Sequence, residues 1–391
     1  MSANRILTSH VGSLVRPADF LAVLKDKAAG RATPSFEAAL TAAVKTVVQR
    51  QVEAGIDIVS DGEFGKGIGW EQYVMERLAG FTDSGASSAP AAATAVPAWG
   101  DFARFSEFYR ETFPKENYQE RPFPCTGPIR YTGQAALQRD IHNLKSGVAA
   151  ARAYAGFLPV VAPASATTMS ANEYYPSEEE YIYATADALR VEYETILQSG
   201  LLVQIDDAHL PFMYDRMVPP HTDEEYQRWA MLRIEALNHA LRGLDTSRVR
   251  YHICWGSWNG PHTRDVPLQR IVGLLLKLNV GGYAIEAANP RHEHEWKVWT
   301  QVRLPEGRTL MPGVVSHQTN VVEHPELVAE RIVRFANVVG RDNVIAGTDC
   351  GFAQGPFVRR VHETIMWAKL ESLAEGARLA SAELWGRKSA A

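Results

Sequence analysis

Residues 249–286 read VRYHICWGSWNGPHTRDVPLQRIVGLLLKLNVGGYAIE. The opening run, Val249–Cys254, is rich in β-branched and aromatic residues and predicts a strand. Gly and Pro then break the chain. Leu268–Leu278 carries apolar residues at helical spacing, and Gly282–Glu286 is a second short apolar run. Strand, crossover helix and strand in this order imply parallel strands.

The same alternation continues in both directions. Further strands are expected at Ile6–Ser13, Asp57–Ser60, Pro128–Tyr131, Leu158–Ala162, Leu201–Ile205, Thr309–Val315 and Asn343–Gly347. Helices are expected at Phe36–Ala54, Glu179–Gln198, Asp223–Leu241 and Pro325–Val339, the last with Pro near its start, where the missing N–H costs nothing. Eight βα units close into a (β/α)8 barrel, and 391 residues fall in the usual range of that fold. The expected class is therefore α/β, a TIM barrel forming one domain over 1–391. Nine candidate strands exceed the eight of a barrel, so at least one is expected outside it. An insertion on one face is expected at about 81–125. Within it, GASSAPAAATAVP (85–97) reads as a low-complexity loop. The aromatic, charged stretch that follows, to Pro124, reads as an excursion over one barrel face; an active-site lid and a packing or subunit contact both fit it.

Composition narrows the function. The chain has a formal net charge of −5, 46% hydrophobic and 22% charged residues, and no long Lys/Arg run. That is a globular composition without the basic footprint of a nucleic-acid binder. The longest apolar stretch, near 271–276, is far short of the roughly 20 residues that span a bilayer. The first residues show no apolar core of a signal peptide. Three cysteines, Cys125, Cys254 and Cys350, make no disulfide framework. A cytoplasmic protein is expected, with no nucleic-acid or membrane partner and scope for a homo-oligomer.

Several common motifs are absent. There is no phosphate-binding GxxxxGK[ST] loop and no GxSxG elbow, and Gly65-Lys-Gly-Ile-Gly69 lacks dinucleotide spacing. Metal-ligand residue types instead gather where strands end. His252 and Cys254 are two apart in a strand and so point the same way. Glu286 ends the next strand, and Cys350 follows the strand at Asn343–Gly347 in a Gly-flanked turn. In a barrel these ends form the face that carries chemistry. One His, two Cys and one Glu fit a tetrahedral zinc site. Any one of these residues taken alone is more often a buried filler; it is their joint placement that points to zinc.

With these ligands in view, the chain resembles the catalytic barrel of the cobalamin-independent methionine synthases. Five landmarks recur in the family's order: Thr8-Ser-His-Val-Gly12-Ser13, Asp61-Gly-Glu63-Phe64, Gln204-Ile-Asp206-Asp207, the His252, Cys254, Glu286 and Cys350 set, and His317-Gln-Thr-Asn320-Val321. The resemblance covers nearly the whole chain apart from roughly residues 80–125. It implies a zinc cofactor on His252, Cys254, Glu286 and Cys350. It implies that Glu63 and Asp206 hold the ammonium of a thiol amino acid and that Ser13 holds its carboxylate. It implies that His317 assists proton transfer to the leaving group. Zinc in such a site keeps a bound thiol deprotonated. Glu286, the hard ligand, is the one a soft substrate thiol is expected to displace.

The family's larger members carry a second, N-terminal barrel, and this chain has one. Epoxyalkane:coenzyme M transferases are similar single-barrel proteins. The segment 161–170 stands where methionine synthases contact folate and lacks their Trp-bearing pattern. The thiol half of the reaction is thus better supported than the electrophile half. Three functions are weighed. The first is methyl transfer from a folate or corrinoid donor to homocysteine. The second is addition of a thiol to an epoxide, and the third is non-catalytic metal binding on an inherited barrel. Two carboxylates attract an ammonium and would repel a sulfonate unless a cation intervened, which favours an amino-acid thiol. Among the remaining residues, Glu63 beside Asp61 also reads as a solvated turn, and Asp206-Asp207 as a helix cap. The segment Asn289-Pro-Arg291-His292-Glu-His294-Glu reads as a solvated helix start, with Arg291 a candidate anion clamp and no second metal site.

Overall fold

A computed structural model describes residues 4–31, 36–70, 72–82, 100–112, 123–168 and 170–386. Among these, twelve strands occur: β1 (Leu7–Thr8), β2 (Ile58–Val59), β3 (Leu78–Phe81), β4 (Cys125–Tyr131), β5 (Ala155–Val161), β6 (Leu202–Asp206), β7 (Val249–Ile253), β8 (Gly282–Ile285), β9 (Thr309–Val315), β10 (Ile345–Thr348), β11 (Ala353–Gly355) and β12 (Val358–Arg359). Eight of them are parallel neighbours in the order β1-β10-β9-β8-β7-β6-β5-β2. A parallel bridge between Ser9 and Ile58 joins the two ends of that order, and the Ser9 hydroxyl donates to the Ile58 carbonyl at 3.0 Å. The ring is the (β/α)8 barrel expected from the alternation.

The supernumerary strand is the one at Pro128–Tyr131. It lies in β4, paired antiparallel with β3 outside the barrel. The chain leaves β3 at Phe81 and re-enters β4 at Cys125. Two short helices, Gly100–Arg104 and Ser106–Thr112, lie on that excursion. The low-complexity loop at 85–97 falls outside the described residues.

Local chemistry explains the helix starts. Ser177 caps Glu178–Gln198 by accepting the Glu180 N–H, with three glutamates in the first turn against the positive helix end. Thr222 and Glu225 form a reciprocal capping box at Asp223–Leu241. Pro325 opens Pro325–Val339. The barrel strands contribute Val161, Val203, Ile205, Ile253, Leu310 and Val315 to a core in which each is essentially inaccessible to water.

The first strand is much shorter than the Ile6–Ser13 expected. Gly12 has φ +125°, a conformation closed to ordinary side chains, and a Cβ there would stand 2.8 Å from Pro159 of β5. The chain therefore turns inward over the mouth of the barrel after Ser9, which carries Ser13 into the site.

Candidate metal centre and active site

β7 ends at Ile253, so His252 and Cys254 flank its last residue and point the same way at the C-terminal rim. Cys350 arrives two residues beyond β10. The ligand atoms of His252, Cys254 and Cys350 all lie within 4.8 Å of one another, and all three side chains are buried. Both thiols are free. The Cys350 thiol hydrogen-bonds Cys254 and, despite burial, holds the Cys254 thiol well below the usual range; His252 acts in the same sense. Among the described residues no oxygen or nitrogen partner reaches either ring nitrogen of His252, whose ring turns to the Cys254 thiol. A buried imidazole so placed is costly until something takes its lone pair. One imidazole and two thiolates converging on one point are the donor set that suits zinc.

Glu286, one residue past β8, stands beside this cluster and is not one of its three members. Its Oε1 accepts the Trp255 N–H at 3.2 Å, and its Oε2 accepts from Asn289 Nδ2 at 2.7 Å. Burial first, then the charge of Cys254, push its pKa well up. The loop behind it is fixed from Asp349, the neighbour of Cys350. Asp349 Oδ1 accepts the N–H groups of Ala287 and Ala288, each at 2.8 Å, and Oδ2 accepts from Asn289 at 3.2 Å. The ends of β8 and β10 are thereby tied together.

Asp206, the last residue of β6, is the register partner of His252 on β7. Gln204 Nε2 donates to its Oδ1 at 2.7 Å. Burial raises the Asp206 pKa to about 7; His252 and Lys66 pull it down, and Glu63 pushes it up. Its neighbour Asp207 accepts from the hydroxyls of Ser165 and Tyr251. Glu63 is 4% exposed and has φ +63°, unusual for a residue with a Cβ. Its N–H donates to Asp61 Oδ1 at 2.9 Å. The solvated-turn reading of Glu63 is therefore corrected: this is a buried, strained turn at the rim. The Ser13 hydroxyl donates to the Ala353 carbonyl, and Ser13 packs against Gly351 just past Cys350. His317, two residues beyond β9, is fully buried, and among the described residues its ring finds only a backbone contact at Ser257. Burial first, then Arg360, His262 and His252, hold its pKa well below the usual range.

All eight sequence-derived residues thus sit at the C-terminal strand ends. Three form the cluster; Asp206 stands beside His252, Glu286 beside the loop that follows Cys254, and Ser13 against the loop that follows Cys350. Glu63 and His317 act on the same groups through charge.

The segment after Glu286 departs from the solvated helix start expected of it. His292 is 4% exposed, stacks on Trp255 with ring centroids 4.0 Å apart, and bridges Asp265 at 3.0 Å and Glu295 at 2.8 Å. Asp265 also meets His262, at 3.1 Å from its nearer oxygen. Arg291 is exposed, and its guanidinium reaches the Thr263 carbonyl at 3.4 Å. The available signal was the polar run PHTRD (261–265) so soon after a ligand-bearing strand. The insertion docks on this same loop. Asp101 accepts the Thr263 N–H at 2.7 Å, and Trp258 Nε1 donates to the Tyr109 hydroxyl at 3.2 Å. Lys66, which the sequence reading met only inside the Gly65–Gly69 run, is a buried cation whose Nζ lies 3.2 Å from Glu63 Oε1.

A closed parallel barrel whose buried acids, histidines and thiols gather at the C-terminal strand ends is a (β/α)8-barrel enzyme. The chain belongs to the family described as cobalamin-independent synthase, catalytic domain, which matches residues 160–370. It is 24% identical over 381 residues to a methionine synthase of Sulfolobus acidocaldarius, covering 96% of this chain and 93% of that one. It is 23% identical over 379 residues to a methionine synthase of Thermococcus kodakarensis, covering 96% and 94%. A B12-independent methionine synthase from a Shewanella species, solved with selenomethionine, superposes with a TM-score of 0.72 at 19% identity, covering 98% and 99%. A putative vitamin-B12 independent methionine synthase from Listeria monocytogenes gives 0.66 at 19%, covering 96% and 98%. These two share the fold. No helix among the described residues is long and apolar enough to cross a membrane.

Proposed function

We propose that this chain methylates the thiol of homocysteine at a zinc centre held by His252, Cys254, Cys350 and Glu286. The observation that carries the reading is the buried convergence of one imidazole and two thiols on one point. Family membership and full-length similarity to methionine synthases support it. Nothing in those relatives favours the epoxide reaction. Bound there, zinc would lower the pKa of the substrate thiol and keep it in its nucleophilic form.

The protein's own groups supply position and protons. Asp206 and Glu63 present carboxylates to the ammonium of the amino acid, and Ser13, held near the chain that follows Cys350, faces its carboxylate. Burial of all three excludes water and strengthens each contact. Glu286, steadied by the Trp255 N–H and Asn289, would be the hard oxygen donor to the zinc and the one that a soft thiol could replace. The His317 imidazole is neutral near pH 7. Its N–H gives a proton to the departing group of the methyl donor, and the proton that the thiol loses restores it.

Zinc-edge X-ray absorption tests this. The resting protein should show two sulfur ligands with nitrogen and oxygen, and homocysteine should add a third sulfur. Mass spectrometry should then find methionine when a methyl donor is supplied. A shell unchanged by homocysteine overturns the proposal.

A further inference from the structure

The carboxylates that would receive the substrate's ammonium already have a cation among them. Lys66 lies three residues beyond Glu63 and is 7% exposed. Its Nζ stands 3.2 Å from Glu63 Oε1 and 4.1 Å from the centre of the Tyr73 ring. Beyond that ion pair and ring, Nζ has no hydrogen-bond partner among the described residues. Its charge also acts on Asp206 and Asp61, drawing each down against the upward push of burial. Arg16, 3% exposed, fixes the turn by donating to the carbonyls of Glu63 and Lys66, the latter at 3.2 Å.

Charge accounting gives this arrangement a consequence. A buried carboxylate pair without a cation is expensive, and an incoming ammonium would normally relieve it. Here a tethered ammonium does so before any substrate arrives. The substrate's own ammonium is then not required, and it would have to share Glu63 with Lys66. A thiol that carries only an anionic end loses nothing by lacking an amino group, and it gains the N–H donors that Lys66 leaves unused.

We propose that Lys66 sets the thiol selectivity of this site: its ammonium stands in for the α-ammonium of an amino-acid thiol, so that mercaptocarboxylates are accepted alongside homocysteine. The inference rests on the thiol-activation reading and deepens it by naming the substrate class.

Calorimetric binding to the zinc-loaded full chain tests it, with L-homocysteine and 4-mercaptobutyrate, which is homocysteine without its amino group. The wild type should bind the two within about fivefold of each other. Lys66→Met should weaken 4-mercaptobutyrate by about tenfold or more while homocysteine holds or gains, reversing the ratio. Lys66→Gln is the second variant, and the wild-type ratio stands without either. A wild type that prefers homocysteine by about a hundredfold overturns the inference and leaves the thiol reading intact. Equal losses for both thiols in Lys66→Met also overturn it, because a structural role would give that pattern. Binding of neither thiol by the wild type overturns both readings.

Discussion

The indole of Trp255 lies on the imidazole of His292 with planes 22° apart, while the Trp255 backbone N–H donates to Glu286. One residue therefore joins two systems. On one side is the carboxylate beside the ligand cluster; on the other is a buried chain of acids and histidines, Glu295, His292, Asp265 and His262. The loop after β7 is held from both ends, and the insertion leans on its middle through Thr263 and Trp258.

The ligand cluster predicts a clean loss of metal. Cys254→Ser, Cys350→Ser or His252→Ala should each reduce zinc from near one per chain to about a tenth or less, because a structural set short of a soft donor binds weakly. Elemental analysis after dialysis reads the loss. Far-ultraviolet circular dichroism should stay close to wild type, since the three residues lie at or just past the C-terminal ends of their strands.

His317 predicts a separation of binding from turnover. His317→Asn should leave zinc content and homocysteine binding within about threefold of wild type and lower kcat by roughly 10² to 10⁴. Unchanged turnover would remove the residue from the proton path.

The His292 system predicts a pH-dependent stability. Burial lowers the His292 pKa, but the hydrogen bonds to Asp265 and Glu295 outweigh it and raise the value to about 9. A folded-state pKa above the unfolded value of about 6.5 stabilises fully below that lower value and is lost as pH rises through the higher one. Thermal unfolding should thus be flat near pH 6 and fall between about pH 6.5 and 9, by an amount of order 1–3 kcal/mol. Glu295→Gln should lower Tm at pH 6 and shrink that slope. A wild-type Tm that rises across the interval would contradict the assignment.

The insertion predicts selective exposure. Asp101→Ala leaves the Thr263 N–H without its acceptor, at a cost of about 1–3 kcal/mol. Limited proteolysis should then cut within 100–112 faster than in wild type, with the remaining barrel resistant. Equal cleavage in both would mean that the contact does not hold the segment.

Much of this was legible in the sequence because barrel geometry repeats. Period-two spacing placed His252 and Cys254 together, and strand–helix alternation placed Glu286 and Cys350 on the same rim. Thr309–Val315 was legible to the residue, as its strand is a continuous apolar run closed by Ser316. What was not legible depends on the third dimension. Nothing in the residues 289–295 announces burial; His292 is inside because Trp255, far away in sequence, covers it. Lys66 read as one more member of a glycine-rich run, and its meaning appears only when the left-handed turn at Glu63 brings it back onto its own carboxylate. The first strand was overextended because the inward bend at Gly12 is set by Pro159 on another strand.

The barrel is closed by its first strand lying against its last. Cys350 comes from that last strand, while His252 and Cys254 belong to an earlier one. A nascent chain leaving the ribosome exposes the imidazole and the first thiol long before the second thiol exists. Until β10 slides between β9 and β1, no metal ion can find all three. Such late, sequence-distant pairings are the slow part of folding. On the zinc reading, an ion held by all three ligands at once would report a ring that has closed.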